Sequence, residues 1–403
     1  MAEIAIIGGG ASGMAAAIAA ARNPKNHITL IERQSRVGRK LLATGNGRCN
    51  LTNTGASRSR YHGEAADFVE GALAAWPPAA VLDFFASLGL RTVTENGGRV
   101  YPMSDHAGSV LDVLRLALEQ ENITVLTGCA VESARKCGKR FSLRWADGAL
   151  EADRLIIACG GCAGAKLGGV MDGYTLLKSF GHSRTALYPA LTPVRTVPDY
   201  PRALKGIKAD AKLRLTKGKT TLAAAQGDVL FTDTGLSGTA VFDISRIAAK
   251  NADGSIAHLD FFGGMGADEI LAMLRARRQA WPNLPANQIL MGTVQSRLGQ
   301  MLCKASGISG GETVCSISDA ALHTLAKVCK DFALPVTGVS GFESAQVTAG
   351  GIKTAEFDPE TMQSRLVPGL YACGEVLDID GDCGGYNLQW AWASGLLAGG
   401  AVR

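Results

Sequence analysis

Residues 4–13 read Ile-Ala-Ile-Ile-Gly-Gly-Gly-Ala-Ser-Gly, and no other stretch limits the fold so sharply. The apolar run Ile4–Ile7 reads as a buried strand. Gly8-x-Gly10-x-x-Gly13 follows at once, and the Ala-rich Met14–Ala21 reads as a helix. A second apolar run, Ile28–Ile31, ends at Glu32, 19 residues past Gly13. That is close to the roughly 20 expected of the acid that grips a ribose hydroxyl in a dinucleotide-binding βαβ unit. Gly8 permits a tight turn, Gly10 lets backbone approach a pyrophosphate, and Gly13 lets helix and strand pack closely. The diphosphate then rests on N–H groups of the Gly10–Gly13 turn, Ala11 and Ser12 among them, at the positive end of the helix.

At 403 residues the chain exceeds one typical core and implies two or three domains. Its 50 glycines follow no collagen-like period and suit tight turns and close backbone–cofactor contacts. The net charge of +5 is mild and does not demand nucleic acid. The densest basic stretch, Arg202–Lys219, contains the alternating run Lys208–Leu215, which reads as a strand with a solvated outer face. The expected partner is a small-molecule substrate, with neither nucleic acid nor membrane, and with the oligomeric state left open. No apolar run reaches the roughly 18 residues of a membrane span. A cleaved leader would remove the Ile4 strand, so a cytoplasmic location is expected, with the ten cysteines as thiols. Six scattered histidines offer no metal-type pair, and no metal is expected.

Strand runs at Ile4–Ile7, Ile28–Ile31, Ile123–Leu126 and Leu155–Ala158 alternate with helical patterns over Ala65–Ala75, Ala79–Leu88 and Ser109–Gln120. That order is a doubly wound α/β sheet. From Leu191 short alternating segments take over: Lys208–Leu215, Thr220–Ala223, Asp228–Phe231 and Ala257–Phe261. Helical spacing returns in Ala267–Trp281, Ala286–Ser306 and Ser318–Phe332, with an apolar stripe of Ile289, Leu290, Val294, Leu298 and Met301. The chain closes on a strand, Gly369–Ala372, a Gly-acid turn and an apolar helix, Leu388–Ala401. The expected architecture is α/β: a split Rossmann-type domain (1–190 and 344–403), an inserted β-barrel (191–262) and a helical cap (263–343). Apolar stripes in the inserted regions are expected to roof a cavity.

Two further turns point to FAD. Leu155–Gly161 ends in Ala158, Cys159, Gly160 and Gly161, and it resembles the Ala-Thr-Gly turn of flavoproteins with Cys159 in the threonine place. Tyr371-Ala372-Cys373-Gly374-Glu375 resembles the turn that offers an acid, usually Asp, to the ribityl chain. Cys159-x-x-Cys162 lies where small residues are wanted and reads as packing rather than a redox pair.

Gly38-Arg39-Lys40-Leu41-Leu42-Ala43-Thr44-Gly45-Asn46-Gly47-Arg48-Cys49-Asn50-Leu51-Thr52-Asn53 is a basic, amide-rich loop suited to phosphates and a polar ring edge. With Gly374–Asp378, Gly384–Trp392 and Phe231–Gly238 it resembles the bacterial flavoproteins of the BaiN type (dehydro-bile-acid reductase) or aminoacetone-oxidase type, over nearly the whole chain. The resemblance implies FAD, an inserted barrel and a cap. The residues assigned to the cofactor are Gly8, Gly10, Ala11, Ser12, Gly13, Glu32, Arg33, Arg39, Lys40, Leu41, Thr44, Asn46, Gly47, Arg48, Cys49, Asn50, Val131, Ala158, Cys159, Gly160, Gly161, Gly374, Glu375, Gly385, Tyr386, Asn387 and Leu388. The turn Gly384–Leu388 opens the last helix and would favour negative charge on a reduced flavin.

No second GxGxxG is visible, so NAD(P)H is expected as a transient reductant. Tyr101 and His106, in a segment resembling the family's active cavity, and Tyr386 are the candidate catalytic groups. The expected reaction is hydride transfer to the β-carbon of a steroid-like enone. The alternatives are an oxidase of a small amine and, less favoured, a flavin-bound nucleic-acid- or partner-binding protein without turnover.

Overall fold

The computed structural model describes residues 2–402 and divides into two compact units, Met1–Tyr188 with Phe342–Arg403, and Pro189–Gly341. The first is built on a parallel sheet in the order Leu370–Ala372, Arg154–Ile157, Ala2–Ile7, Asn26–Glu32, Ile123–Thr127. Ile4, Ile6, Ile28, Leu30, Leu155 and Ile156 are buried. A parallel sheet is covered on both faces, so its strands read as continuous apolar runs. Ile7 lies beside both Ile157 and Ile31, and Ile157 beside Ala372. Gly8, Ala158, Glu32 and Cys373 therefore leave the sheet along one carboxyl edge, where open α/β sheets bind ligands.

The helix Ala11–Ala21 packs against the closing helix Tyr386–Ala401. A Cβ on Gly395 would collide with the Ser12 carbonyl, and one on Gly399 with that of Ala16. Residues four apart lie on one helix face, so paired small residues let the two backbones meet. The sequence reading missed a three-stranded antiparallel sheet in this unit, Ser133–Cys137, Arg140–Trp145 and Gly148–Ala152. Its signal is the alternation of buried Phe141 and Leu143 with outward-facing neighbours.

The second unit contains a closed six-stranded barrel: Val194–Thr196, Gly235–Ser237, Thr220–Phe231, Lys208–Lys217, Ser255–Asp260 and Phe332–Val339. The expected segments Thr220–Ala223 and Asp228–Phe231 are one strand. The helix expected over Ser318–Phe332 spans Asp319–Lys330, because Phe332 opens the strand that closes the barrel. Ala286–Ser306 is likewise not one helix: Gly292, at φ 76°, separates a 3-10 turn at Ala286–Gln288 from the helix Ser296–Ala305. Leu274, Ile289, Leu290 and Leu298 share one core with barrel residues Leu213, Leu215 and Leu259. Barrel and helices are therefore a single unit rather than a barrel and a cap divided at 262/263. Of the apolar stripe, Ile289, Leu290 and Leu298 are buried in that core, and Val294 and Met301 pack against it half-buried.

Among the described residues no single helix is long and apolar enough to cross a membrane. The bent pair Ala66–Ala75 and Pro78–Ser87 passes such a test only jointly, and its Val69, Ala72, Val81, Phe84 and Phe85 are buried in the core.

Candidate active site

The glycines of the first turn carry three different constraints. Gly8 sits at φ 109°, where a side chain would strike the Ala158 carbonyl, and a Cβ on Gly13 would strike the Gly8 carbonyl. Gly10 is the reverse case: a Cβ there meets nothing within 4 Å. Gly10 is the N-cap of the helix Ala11–Ala21 and provides no side-chain cap, so the first amides of that helix lack the usual partner. Open space before an uncapped helix N-terminus fits a diphosphate. The Glu32 carboxylate accepts the Gly9 N–H at 2.7 Å through Oε2 and the Gln34 N–H at 2.7 Å through Oε1. These bonds fix it beside the turn with lone pairs to spare for ribose hydroxyls.

The return turn meets the last Gly-acid turn. Gly160, at φ 70°, faces open space, whereas a Cβ on Gly161 would run into Thr348 and Glu375. Lys40 donates to Glu375 Oε2 at 2.9 Å, and the Thr348 N–H donates to Oε1 at 2.8 Å. Gly374, at φ 76°, lies against Ser12. The closing helix fixes this turn at both ends: Ser394 Oγ accepts the Gly374 N–H at 3.0 Å, and Trp390 Nε1 donates to the Gly374 carbonyl at 3.1 Å. Cys159 donates to the Ile7 carbonyl and Cys162 meets Thr348. The two thiols have different partners, and burial pushes both pKa values up, against thiolate formation.

The basic loop is held in a tight left-handed path at Gly45, Asn46, Gly47 and Cys49. Non-glycine residues in that region mark a conformation enforced by its surroundings. Thr44 donates to the Leu41 carbonyl, and Leu41 and Cys49 are buried, with burial pushing the Cys49 thiol up to about 12. The Asn50 amide, oriented to donate to Thr52 O, accepts the Gly385 N–H at 3.2 Å. Trp392 Nε1 donates to the Leu51 carbonyl, and Thr52 to Gln389, so the loop is tied to the closing helix.

Several assigned residues have other work. Arg33 pairs with Asp172 at 3.0 Å, and Arg39 donates to Gln34 at 2.6 Å. Val131 is buried in the core, near the loop where the Cys129 N–H reaches the Glu32 carbonyl. Asn387 bonds both the N–H and the carbonyl of Gly381, and Leu388 packs on the core.

Of the three candidate catalytic groups, His106 is exposed, and its Nδ1 accepts the Gly108 N–H at 3.1 Å as the N-cap of the helix Ala107–Ala117. A capping imidazole is accounted for structurally. Tyr386 is buried edge-on to Tyr61 at 6.2 Å, and Tyr61 donates to its carbonyl. Tyr101 is 8% exposed, its ring lies under the Arg48 guanidinium at 3.9 Å, and Arg48 is held there by Glu95 and Asp105. Among the described residues the Tyr101 hydroxyl has no hydrogen-bond partner. Burial raises its pKa, so it stays protonated at neutral pH.

A split Rossmann unit with these three convergent turns defines a flavoprotein, and the chain is an FAD-dependent oxidoreductase. A family model described as HI0933-like protein Rossmann domain matches residues 2–401, and the chain belongs to that family. It is 41% identical over 408 residues to the 3-dehydro-bile acid delta(4,6)-reductase of Clostridium scindens, covering 100% of this chain and 99% of the relative. It is 29% identical over 393 residues to the ribosomal RNA dihydrouridine synthase of Escherichia coli, covering 96% of this chain and 95% of the relative. In fold it is similar to the 3-ketosteroid delta1-dehydrogenase of Sterolibacterium denitrificans, with a TM-score of 0.52, 12% identity and 99% of each chain covered.

Proposed function

We propose that this protein uses NADH or NADPH to reduce a carbon–carbon double bond conjugated to a carbonyl, and that its substrate is a small steroid-like enone of the dehydro-bile-acid class. The observation that carries this reading is the 41% identity, end to end, with a relative named as a delta(4,6)-reductase. The more distant relatives support the reaction type. Dihydrouridine is uridine with its 5,6 bond reduced, and that bond is conjugated to a ring carbonyl.

Bound and reduced, FAD supplies a hydride for the β-carbon. The open turn at Gly10 would hold its diphosphate, Glu32 a ribose hydroxyl, and the Lys40–Glu375 pair the ribityl side of the site. Tyr101 is the assigned proton donor to the α-carbon: its hydroxyl is unpartnered and stays protonated at neutral pH. A small substrate is favoured over RNA because the barrel's basic strand is partly balanced, Lys208 by Asp228 and Arg214 by Asp331. The free cysteines suit a cytoplasmic location.

The test is anaerobic stopped-flow absorbance. NADH or NADPH should bleach the flavin, and a 4-en-3-one or 4,6-dien-3-one steroid should restore it faster than oxygen does. Rapid reoxidation by oxygen alone, with reduction by a primary amine, would replace this reading with an amine oxidase. Restoration by a uridine-containing ribosomal RNA fragment, and by no steroid, would replace the substrate class.

A further inference from the structure

Arg99 lies on the short strand Arg99–Pro102, two residues before Tyr101 and paired in register with Asn53. It is half-buried, and among the described residues its guanidinium makes no hydrogen bond or ion pair. Its cationic neighbours differ: Arg48 is clamped by Glu95 and Asp105, and Arg60 pairs with Asp382 at 3.4 Å. Arg99 Nε lies 3.4 Å from where a Cβ of Gly384 would stand, beside the glycines that open the closing helix. Asn53 donates to the Gly384 carbonyl at 3.0 Å and holds that segment in place. A cation without an acid beside the positive end of a helix is electrostatically unfavourable until an anion joins it. The Tyr101 side chain, 8% exposed and with a hydroxyl that also lacks a protein partner, feels the positive charge of Arg99 and of Arg48. An unpaired guanidinium and an unpaired phenol thus lie together, one suited to negative oxygen and the other to giving a proton.

We propose that Arg99 binds the carbonyl oxygen of the enone and carries the negative charge which that oxygen takes up during reduction. The proposal rests on the reductase reading above. As hydride, supplied by the nicotinamide-reduced flavin, bonds to the β-carbon, the C=C π pair moves into a new double bond to the carbonyl carbon, and the oxygen becomes an enolate oxygen. The proton from the Tyr101 hydroxyl then bonds to the α-carbon and restores the ketone. Two electrons and one proton arrive with the hydride and one proton from the phenol, which balances the saturated product.

The test uses the FAD-loaded wild type with Arg99→Met and Arg99→Lys. One probe is a phenolic steroid without a carboxylate, a mimic of the enolate whose ionisation is read by absorbance. The others are a 4-en-3-one steroid acid and its methyl ester. Wild type should bind the phenolate form and lower the phenol pKa by at least one unit. Arg99→Met should lose that shift and at least tenfold in affinity, and should lose at least 100-fold in kcat/KM for acid and ester alike. Arg99→Lys should recover part of each. FAD content and melting temperature, measured on every variant, identify misfolding. A loss confined to the free acid overturns the assignment in favour of a carboxylate site. If wild type reduces the enone and Arg99→Met keeps both rate and phenolate binding, the Arg99 assignment alone falls. If wild type binds the phenolate through Arg99 but reduces no enone, the reductase reading falls and the oxyanion site stands. If it does neither, both fall.

Discussion

Gly8, Gly10 and Gly13 look alike in the motif, yet they should fail differently when changed. Gly10→Val adds bulk where nothing lies within 4 Å, in an extended conformation that valine accepts. The apoprotein should therefore melt close to wild type while FAD no longer binds, as read by thermal scanning and flavin titration. Gly8→Ala must adopt φ 109° against the Ala158 carbonyl and should destabilise the apoprotein by more than the roughly 1–3 kcal/mol of backbone strain alone. The sequence motif names both glycines, and only the packing says which serves the ligand and which the fold. The cysteine pair is a second case. Cys159 and Cys162 have separate partners and raised pKa values. Cys159→Ser with Cys162→Ser should keep NAD(P)H-driven flavin bleaching within about threefold of wild type, because serine is nearly isosteric and no thiolate is used. Complete loss of turnover with FAD still bound would make the pair functional after all.

At the scale of elements, the closing helix is the frame of the site. Its inner face meets the first helix through Gly395 and Gly399, while Trp390, Trp392, Ser394 and Gln389 reach into the turns that flank the cofactor region. Gly399→Leu should cost roughly 1–3 kcal/mol or more by overpacking, read as a fall in the denaturation midpoint. Gly400→Ala, one residue along and facing open space, should be neutral or gain up to about 1 kcal/mol of helix propensity. A different tie joins His182 to the turn around Glu356–Ser364. Ser364 Oγ accepts the Leu366 and Val367 N–H groups, so its proton goes to His182 Nε2, and Nδ1–H donates to Glu356 at 2.7 Å. The ring is stacked on Phe357 at 4.5 Å. Burial lowers the His182 pKa below 6.5 despite Glu356. Below pH 6.5 the unfolded chain takes up a proton that the folded one refuses. Stability is thus complete above pH 6.5 and falls as pH drops toward the folded pKa, by at most about 1.4 kcal/mol per pH unit. His182→Gln should be less stable at pH 7.5 but show a flatter decline between pH 6.5 and 5.

At the scale of the whole molecule, the insertion has its own core. Residues 189–341 bury Leu213, Leu215, Leu259, Leu274, Leu290 and Leu325 among themselves, and their sheet closes on itself with no open edge. Expressed alone, this segment should fold cooperatively, with a sharp thermal transition in circular dichroism; a gradual, non-cooperative melt would show that it depends on the rest of the chain. The amino-acid order by itself determined the dinucleotide turn, the parallel strands around it and the Glu32 register. Those features are local: a strand, a turn and a helix must follow one another within some thirty residues, and two-sided burial writes continuous apolar runs into the strands. The basic loop and the closing turn were legible as residues that belong with a flavin. Which of the candidate side chains are already committed was not legible: Arg33 to Asp172, Arg48 to Glu95 and Asp105, and His106 to a helix cap. Nor did the sequence mark Arg99, because being left without a partner is a property of surroundings assembled from residues 48–53, 95–105 and 381–387. Tertiary structure decided these matters because ion pairs, caps and close glycine contacts join residues far apart in the chain, and their energies depend on distance in space rather than position in sequence.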